Sequence, residues 1–415
     1  MTAPIHTGAD AFLARYDSLL GRLPGDSALR ASAAAAFRTA GLPGATRDRR
    51  IEAWKYTTLR PLAEIGFQSS ADPDADLAGV PDLGAPRLIF IDGRFRPDVS
   101  TPPPGFVCFA DQPDFGTLTW PDREPLVALN TMLAEDGADL TVPAGTDAGL
   151  VQLASIGSGS VAFHPRHIIR LRAGARLVLL ETATGEGSYL HNPVTEIHIA
   201  PGASLTHVRL QNESPTAFHL ATIYVEIEQG GIYDAFTLNL GGRVTRTETH
   251  THLAGPNAVA HVNGVQLLGG TQHADFTSVM RHSAPSGTSR QTVKNVLTGR
   301  SRGVFQGRIE VARAAQKTDG YQMNQALLLS PDAEIDSKPE LEIFADDVKC
   351  SHGATVGELD AEQLFYLRSR GIPDPEARAI LVRAFLAEAL DAVTHDAVRA
   401  VLETSVQGWW ERQAG

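Results

Sequence analysis

Glycines recur at a nearly constant interval in the middle of this 415-residue chain, and each precedes a short stretch of alternating apolar and polar side chains. Gly174, Gly202 and Gly230 are spaced by 28 residues, and Gly255 follows 25 residues later. A strand-rich unit that repeats at this interval predicts stacked coils, that is, a parallel β-helix or β-solenoid. A β-sandwich or double-sheet jelly roll is the alternative architecture.

Alternation within these stretches assigns their side chains to two faces, because successive side chains of a strand point in opposite directions. In residues 221–231 the intervening Tyr224, Glu226 and Glu228 are predicted to point outward. The side chains predicted to point inward from this stretch and from residues 334–343 are Ile223, Val225, Ile227, Leu341 and Ile343.

Helical patterns flank the strand-rich part of the chain. We predict a helical N-terminal region with a small hairpin turning at Asp92-Gly93 (1–140), a β-helix core (141–355) and a helical C-terminal region (356–415). The fold class is therefore mostly β, with helices at both ends. In the last region one apolar stripe is predicted to be buried: Ile380, Leu381, Ala384, Phe385 and Ala387.

Composition excludes several classes of protein. A net charge of -12 and a pI near 5.6 argue against nucleic acid as a partner. No apolar run reaches the roughly 20 residues of a membrane span, and the opening MTAPIHTGAD lacks the features of a secretory signal. Two cysteines, Cys108 and Cys350, are too few for a disulfide framework and fit a reducing compartment. We therefore expect a cytoplasmic protein.

The common catalytic and nucleotide-binding motifs are missing from the sequence. It contains no P-loop, no G-x-G-x-x-G between a strand and a helix, no C-x-x-C pair and no G-x-S-x-G elbow. No recognisable motif therefore supplies a site for ATP or a flavin.

Histidines concentrate in the strand-rich region, where eleven of the fourteen lie between positions 164 and 282. Glu248, His250 and His252 alternate in TETHTH, so a strand projects all three from one face. Such a face is either a divalent-metal site or the polar outer surface of a sheet. A second group shows the same alternation and leaves the same alternatives open: His273, Asp275 and, beyond them, His282.

The segment VKCSHGATVG places Cys350 and His352 two residues apart, so an extended backbone directs thiol and imidazole to the same side. Three interpretations remain open from the spacing alone. The pair is half of an iron or zinc site, a nucleophile with its base, or a structural cysteine beside an unrelated histidine.

Residues 315–372 resemble the signature block of the SufB/SufD family. The block comprises QKTD at 316–319, N-x-x-LLLS within 324–330, KPELEI, DDVKCSHGATVG and EQLFYLRSRG. TSRQ-x-x-K at 288–294 and GRSRGVFQGRIEV at 299–311 resemble the same family, and EAWKYT at 52–57 resembles the start of its SufD branch. SufB-like chains read approximately E-H-E-A-T where this chain has Cys350 and Gly353 around the histidine, which also favours the SufD branch.

The resemblance implies a right-handed parallel β-helix in a complex with SufB and the ATPase SufC, which would explain the missing P-loop. It places His352 at the SufB interface, where a nascent iron–sulfur cluster forms. We expect His352, with Cys350 as a secondary partner, to be a transient ligand of iron or of a cluster shared with SufB, with nothing stably bound to the isolated chain. SufC is expected on the C-terminal helices, near Arg378 and Arg383, and whether the chain forms a homodimer without SufB stays open.

Two enzymatic alternatives stay open from the sequence. One is a metal-dependent cupin-type enzyme using the TETHTH histidines, although the third histidine and carboxylate of cupins are not clearly present. The other is a β-helix carbohydrate lyase, a class that usually acts outside the cell.

Overall fold

The computed structural model describes residues 8–45, 51–68, 70, 76–111 and 113–414. The opening residues 1–7, part of the stretch considered above as a secretory signal, lie outside these ranges. The elements of the N-terminal region are α1 (Ala9–Leu19), α2 (Ser27–Ala40), a 3-10 turn (Glu52–Trp54), α3 (Arg60–Ala63), the hairpin β1 (Arg87–Ile91) and β2 (Arg94–Phe95), β3 (Phe106–Cys108) and α4 (Pro125–Leu133).

Local sequence explains these elements. The Asp26 carboxylate accepts a hydrogen bond from the Ala28 amide and caps α2, and Gly41, with φ 67°, ends that helix. The hairpin turns where predicted, because Asp92 and Gly93 both adopt positive φ, as a tight two-residue turn requires. Pro125 occupies the first turn of α4, where its missing amide hydrogen costs nothing.

Eighteen strands follow: β4 (Ala138–Val142), β5 (Asp147–Gly159), β6 (Ala162–Phe163), β7 (Arg166–Leu171), β8 (Arg176–Gly187), β9 (Leu190–His191), β10 (Val194–Ile199), β11 (Ser204–Glu213), β12 (Phe218–Ile227), β13 (Ile232–Asn239), β14 (Val244–Leu253), β15 (Val259–Leu268), β16 (His273–His282), β17 (Thr288–Leu297), β18 (Arg302–Val311), β19 (Asp319–Leu328), β20 (Glu334–Ile343) and β21 (Lys349–Gly357).

These strands stack into two long sheets. One has the order β2-β1-β5-β8-β11-β13-β15-β17-β19-β21, and the other β20-β18-β16-β14-β12-β10-β7-β4-β3. Within them only β1–β2 and β3–β4 pair antiparallel. Each later coil contributes one strand to each sheet, so the chain is a parallel β-solenoid with helices at both ends, as predicted. A sandwich or jelly roll has antiparallel sheets, so the topology excludes both, and with them the cupin-type enzyme.

The space between the two sheets is the hydrophobic core. Ile223, Val225 and Ile227 point into it and are buried, as predicted. Leu341 and Ile343 share this inward face, because they pair with the core residues Ile309 and Val311, but Leu341 is only partly buried and Ile343 is 39% exposed. The reason is position, because β20 is the last strand of its sheet and no further coil covers it.

Tyr224 points outward from β12, as predicted, but it is not exposed to solvent. Its side chain packs with Val127 of α4 and with Leu118 and is 7% exposed. Alternation identifies the outer face of a strand but not whether another element covers it.

One corner of the solenoid repeats in seven consecutive coils. Gly145, Gly174, Gly202 and Gly230 have φ of 66°, 67°, 66° and 63°, and each donates its amide hydrogen to a carbonyl of the next coil's corner. In the following coils the same positive-φ position is occupied by Asn257, Ser286 and Lys317. Gly255 is therefore not the corner residue that the spacing predicted.

Glycine and non-glycine corners give a reciprocal prediction. A Cβ on Gly202 would meet nothing within 4 Å, so Gly202→Ala tests backbone strain alone and should cost about 1 kcal/mol. Ser286→Gly should stabilise the protein by roughly 0.5 kcal/mol, because released strain is partly offset by a freer unfolded chain. Urea unfolding midpoints measure both changes, and shifts of the same sign would contradict the assignment of this corner.

The C-terminal region comprises α5 (Ala361–Ser369), α6 (Asp374–Leu390) and α7 (Asp396–Ala414). Helix α6 covers the outer face of β15 and β17 through Val382, Leu386 and Ala389. The predicted burial of the apolar stripe on α6 is wrong, because Ala384 and Ala387 are exposed and Ile380, Leu381 and Phe385 are half-buried. No helix in the described ranges is long and apolar enough to cross a membrane.

Candidate functional site

The sequence 52–57, EAWKYT, lies across four strands of the second sheet. The Thr57 hydroxyl donates to the Asp275 carboxylate at 2.6 Å, and the Gln306 side-chain amide donates to the Ala53 carbonyl at 3.2 Å. At the last strand Lys338 lies 3.2 Å from Glu52. These contacts reach β16, β18 and β20, so this segment fastens the N-terminal region to the solenoid.

Arg246 of β14 is the centre of a buried ion cluster beneath that segment. Its guanidinium binds Glu248 at 2.9 Å and also binds Asp275, and it lies 4.3 Å from the ring centroid of Trp54. Burial alone would lower the pKa of Arg246, but Asp275 and Glu248 outweigh it and raise that pKa above its usual value. Asp275 is therefore a buried anchor rather than a surface group, and His273, which also contacts Thr57 at 2.8 Å, is half-buried beside it.

Of the three residues predicted to share one face of β14, only Glu248 and His250 contact each other. His250 Nε2 lies 3.1 Å from Glu248 Oε1, whereas His252 Nε2 contacts the Ser283 hydroxyl at 2.9 Å instead. The third member is Glu124, the residue before α4: one ligand atom of each of Glu124, Glu248 and His250 lies within 4.8 Å of the others. Glu124 could not be found from the sequence, since only the packing of α4 on β12 brings it beside Glu248 and His250.

Charge is unevenly distributed in this cluster. Burial, and then the Glu248 carboxylate, raise the pKa of Glu124 to about 7. Burial also opposes ionisation of Glu248, but the Arg246 guanidinium outweighs it and holds the pKa of Glu248 at about 2. Glu248 is thus a permanent anion beside a second carboxyl group.

Cys350 and His352 lie on one face of β21, paired with Gly320 and Gln322 of β19. Cys350 is half-buried against the solenoid core, whereas His352 is exposed. Burial, helped by the Asp319 carboxylate, raises the pKa of the Cys350 thiol above its usual value. A thiol held protonated is a poor nucleophile, which disfavours the nucleophile–base interpretation of this pair.

The strand that carries this pair is also an open edge. β21 ends one sheet and β20 ends the other, so both sheets stop at the same end of the solenoid. Within the described residues, no strand pairs with the outer side of either one. Apolar side chains are exposed there: Phe344 is 66% exposed and Val356 54% exposed. Unpaired edges with exposed apolar groups are typical of strand-addition interfaces.

Arg378 and Arg383 lie on the outer side of α6. Arg378 pairs with Asp374 at 2.7 Å, and Arg383 is exposed with Gln407 3.5 Å away. Beside them α5 and α6 border an open groove of about 810 Å³. Its apolar lining includes Phe365 (72% exposed), Tyr366 (57% exposed), Ile380 and Leu381.

Comparison with known proteins agrees with the resemblance seen in the sequence. Residues 154–385 match the family model described as the SufBD core domain of SUF-system FeS cluster assembly. The iron–sulfur cluster assembly protein SufD of Escherichia coli is 34% identical over 372 residues, covering 86% of this chain and 87% of that protein. A SufBD family protein of Synechocystis is 31% identical over 381 residues, covering 83% of each chain. The chain therefore belongs to the SufBD family of SUF-system iron–sulfur cluster assembly proteins.

Proposed function

We propose that the chain is a non-catalytic scaffold subunit of a cytoplasmic SUF assembly complex. It pairs with SufB through the open end of its solenoid, docks the ATPase SufC on α5 and α6, and presents His352 to iron or a nascent cluster where the solenoids meet. The observation that carries this proposal is that Cys350 and His352 lie on a terminal strand whose outer edge is unpaired in the described residues.

The chemistry of the pair suits a transient cargo. His352 is exposed and offers a ring nitrogen, a ligand that binds iron in its neutral form. Cys350 must release a proton before it can ligate, and its raised pKa opposes that step. His352 is therefore the principal ligand on this side and Cys350 the weaker one, with a SufB thiolate completing the site.

The open edge gives the test of pairing. Phe344→Asp combined with Val356→Asp places two charges on the exposed apolar edge, where a paired partner would have to desolvate them. We expect capture by tagged SufB to fall at least about tenfold, since burying an unpaired charge costs more than 1.4 kcal/mol. Any self-association of the isolated chain through the same edge should fall with it.

Leu20→Asp is the matched control, because Leu20 is an equally exposed apolar residue at the end of α1. It should capture SufB as the unmodified chain does. Undiminished capture by the double variant would refute pairing through this edge.

If SufC docks on α6, charge-reversing variants on the outer side of this helix should weaken capture of SufC, by less than the edge variants weaken capture of SufB. Arg383→Glu and Arg378→Glu should each weaken SufC capture by roughly three- to tenfold, because a reversed rim charge repels what the arginine attracted. Arg313→Glu changes an exposed arginine on the solenoid and should leave capture unchanged. Equal capture by all three variants would contradict docking on this face. Deleting residues 360–415 is a weaker test, since α6 and α7 cover the core residues Val265, Leu267 and Val296.

A further inference from the structure

The group formed by Glu124, Glu248 and His250 has no part in the proposed function. It joins two regions of the chain, because Glu124 precedes α4 and the other two residues lie on β14. Glu124 is the N-cap residue of α4, but its side chain accepts no hydrogen bond from that helix. Its carboxylate therefore points to the solenoid without a capping function.

The donor set and its spacing suit a metal ion. Two carboxylates and one imidazole are ligands that divalent iron, manganese and zinc accept. His250 Nε2 and Glu248 Oε1 are 3.1 Å apart. An ion about 2.1 Å from both atoms would subtend roughly 95°, an angle that octahedral and distorted tetrahedral sites tolerate.

Charge in the neighbourhood also favours a cation. Three carboxylates, those of Glu124, Glu248 and Asp275, lie near the guanidinium of Arg246, which binds only the last two. Arg308 also acts on Glu124, without forming an ion pair with it. Glu124 is thus left beside Glu248 without an ion pair to Arg246. A divalent ion would balance the two adjacent carboxylates.

A second, independent feature is the phenol of Tyr224. This side chain is only 7% exposed, its ring stacks on His250 with centroids 4.8 Å apart, and its hydroxyl has no hydrogen-bond partner among the described residues. A buried hydroxyl without a partner costs free energy, and a metal-bound water or the ion itself would satisfy it.

The cluster is accessible. Two members of the cluster, Glu124 and His250, line a cavity of about 280 Å³. Its other lining residues include Tyr224, Trp120, Arg281 and Glu226. An ion can enter through it and keep water in the positions that the protein leaves free.

We propose that Glu124, Glu248 and His250 bind one divalent first-row transition-metal ion, which ties the helix α4 to strand β14. This site is separate from the terminal strand, and it stands whether or not His352 carries a cluster.

Cobalt(II) is the probe, because its visible absorption bands report coordination by nitrogen and oxygen and show thiolate ligands separately. The full chain, stripped of metal, should bind one equivalent. Glu124→Gln, which keeps the shape of the side chain, should lower the affinity at least about tenfold, since changing even an outer partner of a ligand costs that much. Cobalt should raise the melting temperature of the unmodified chain and not that of Glu124→Gln.

Two controls isolate the site. Glu226→Gln changes another carboxylate of the same cavity and should bind normally. The Cys350→Ser, His352→Ala double variant should also bind normally, which separates this proposal from the cluster function. Unchanged cobalt binding by a folded Glu124→Gln variant would overturn the proposal. So would absence of binding to the unmodified chain, or loss of binding only in the Cys350, His352 variant.

Discussion

A His352→Ala variant is expected to fold, pair with SufB and bind SufC, yet to abolish cluster maturation in cells that depend on this pathway. The imidazole is exposed on a terminal strand, so removing it leaves no cavity and no unpaired buried group. What it removes is the ligand that this subunit would present to iron. Activity of a client iron–sulfur enzyme in a strain lacking the native gene measures the effect.

Matched variants on the same strand sharpen this test. Ser351→Ala alters an exposed neighbour on the opposite face of β21 and should mature clusters normally. Cys350→Ser should be milder than His352→Ala, because its thiol is half-buried and held protonated. Normal maturation by the His352→Ala strain would remove this residue from the mechanism.

Arg246→Met should cost about 3–5 kcal/mol of folding free energy, the largest loss that we expect from one substitution in this chain. Methionine fills much of the space but leaves Asp275 and Glu248 buried without their shared cation, and Trp54 without its cation–π partner. Urea unfolding measures the change.

Arg281→Met is the control for this variant. Arg281 lies on the neighbouring strand β16, pairs with Glu310 and has a side chain 43% exposed, so its loss should cost no more than about 1 kcal/mol. Equal costs for the two variants would show that the Arg246 cluster is not an anchor of the fold.

The solenoid was predictable because regularly spaced glycines mark the length of its coils in the sequence. The 28-residue glycine spacing that placed the corners also separates His191 from His219, whose rings meet edge to face in the structure with centroids 4.8 Å apart. The period becomes invisible where Asn257, Ser286 and Lys317 replace glycine, because these residues adopt positive φ only under the constraint of neighbouring coils.

The shared face of Cys350 and His352 followed from alternation alone, but their different exposure did not. Cys350 lies over Gly320 and packs against the core, whereas His352 lies over the side chain of Gln322 and is exposed, so the residues beneath them on β19 distinguish the two. The same limit applies to Glu124, whose partners are more than a hundred residues away in sequence. The alternation of side chains along a strand predicts which face each one occupies, but only the packed structure shows which other elements cover that face.

The position of segment 52–57 has a consequence for synthesis on the ribosome. Thr57 contacts Asp275 across 218 positions of sequence, and Glu52 contacts Lys338 across 286. At the usual rate of about 5–20 residues per second, the segment leaves the ribosome on the order of ten to sixty seconds before its acceptor strands exist. During that interval Trp54 lacks its Arg246 partner, and attachment of the segment to the second sheet can only follow formation of the coils.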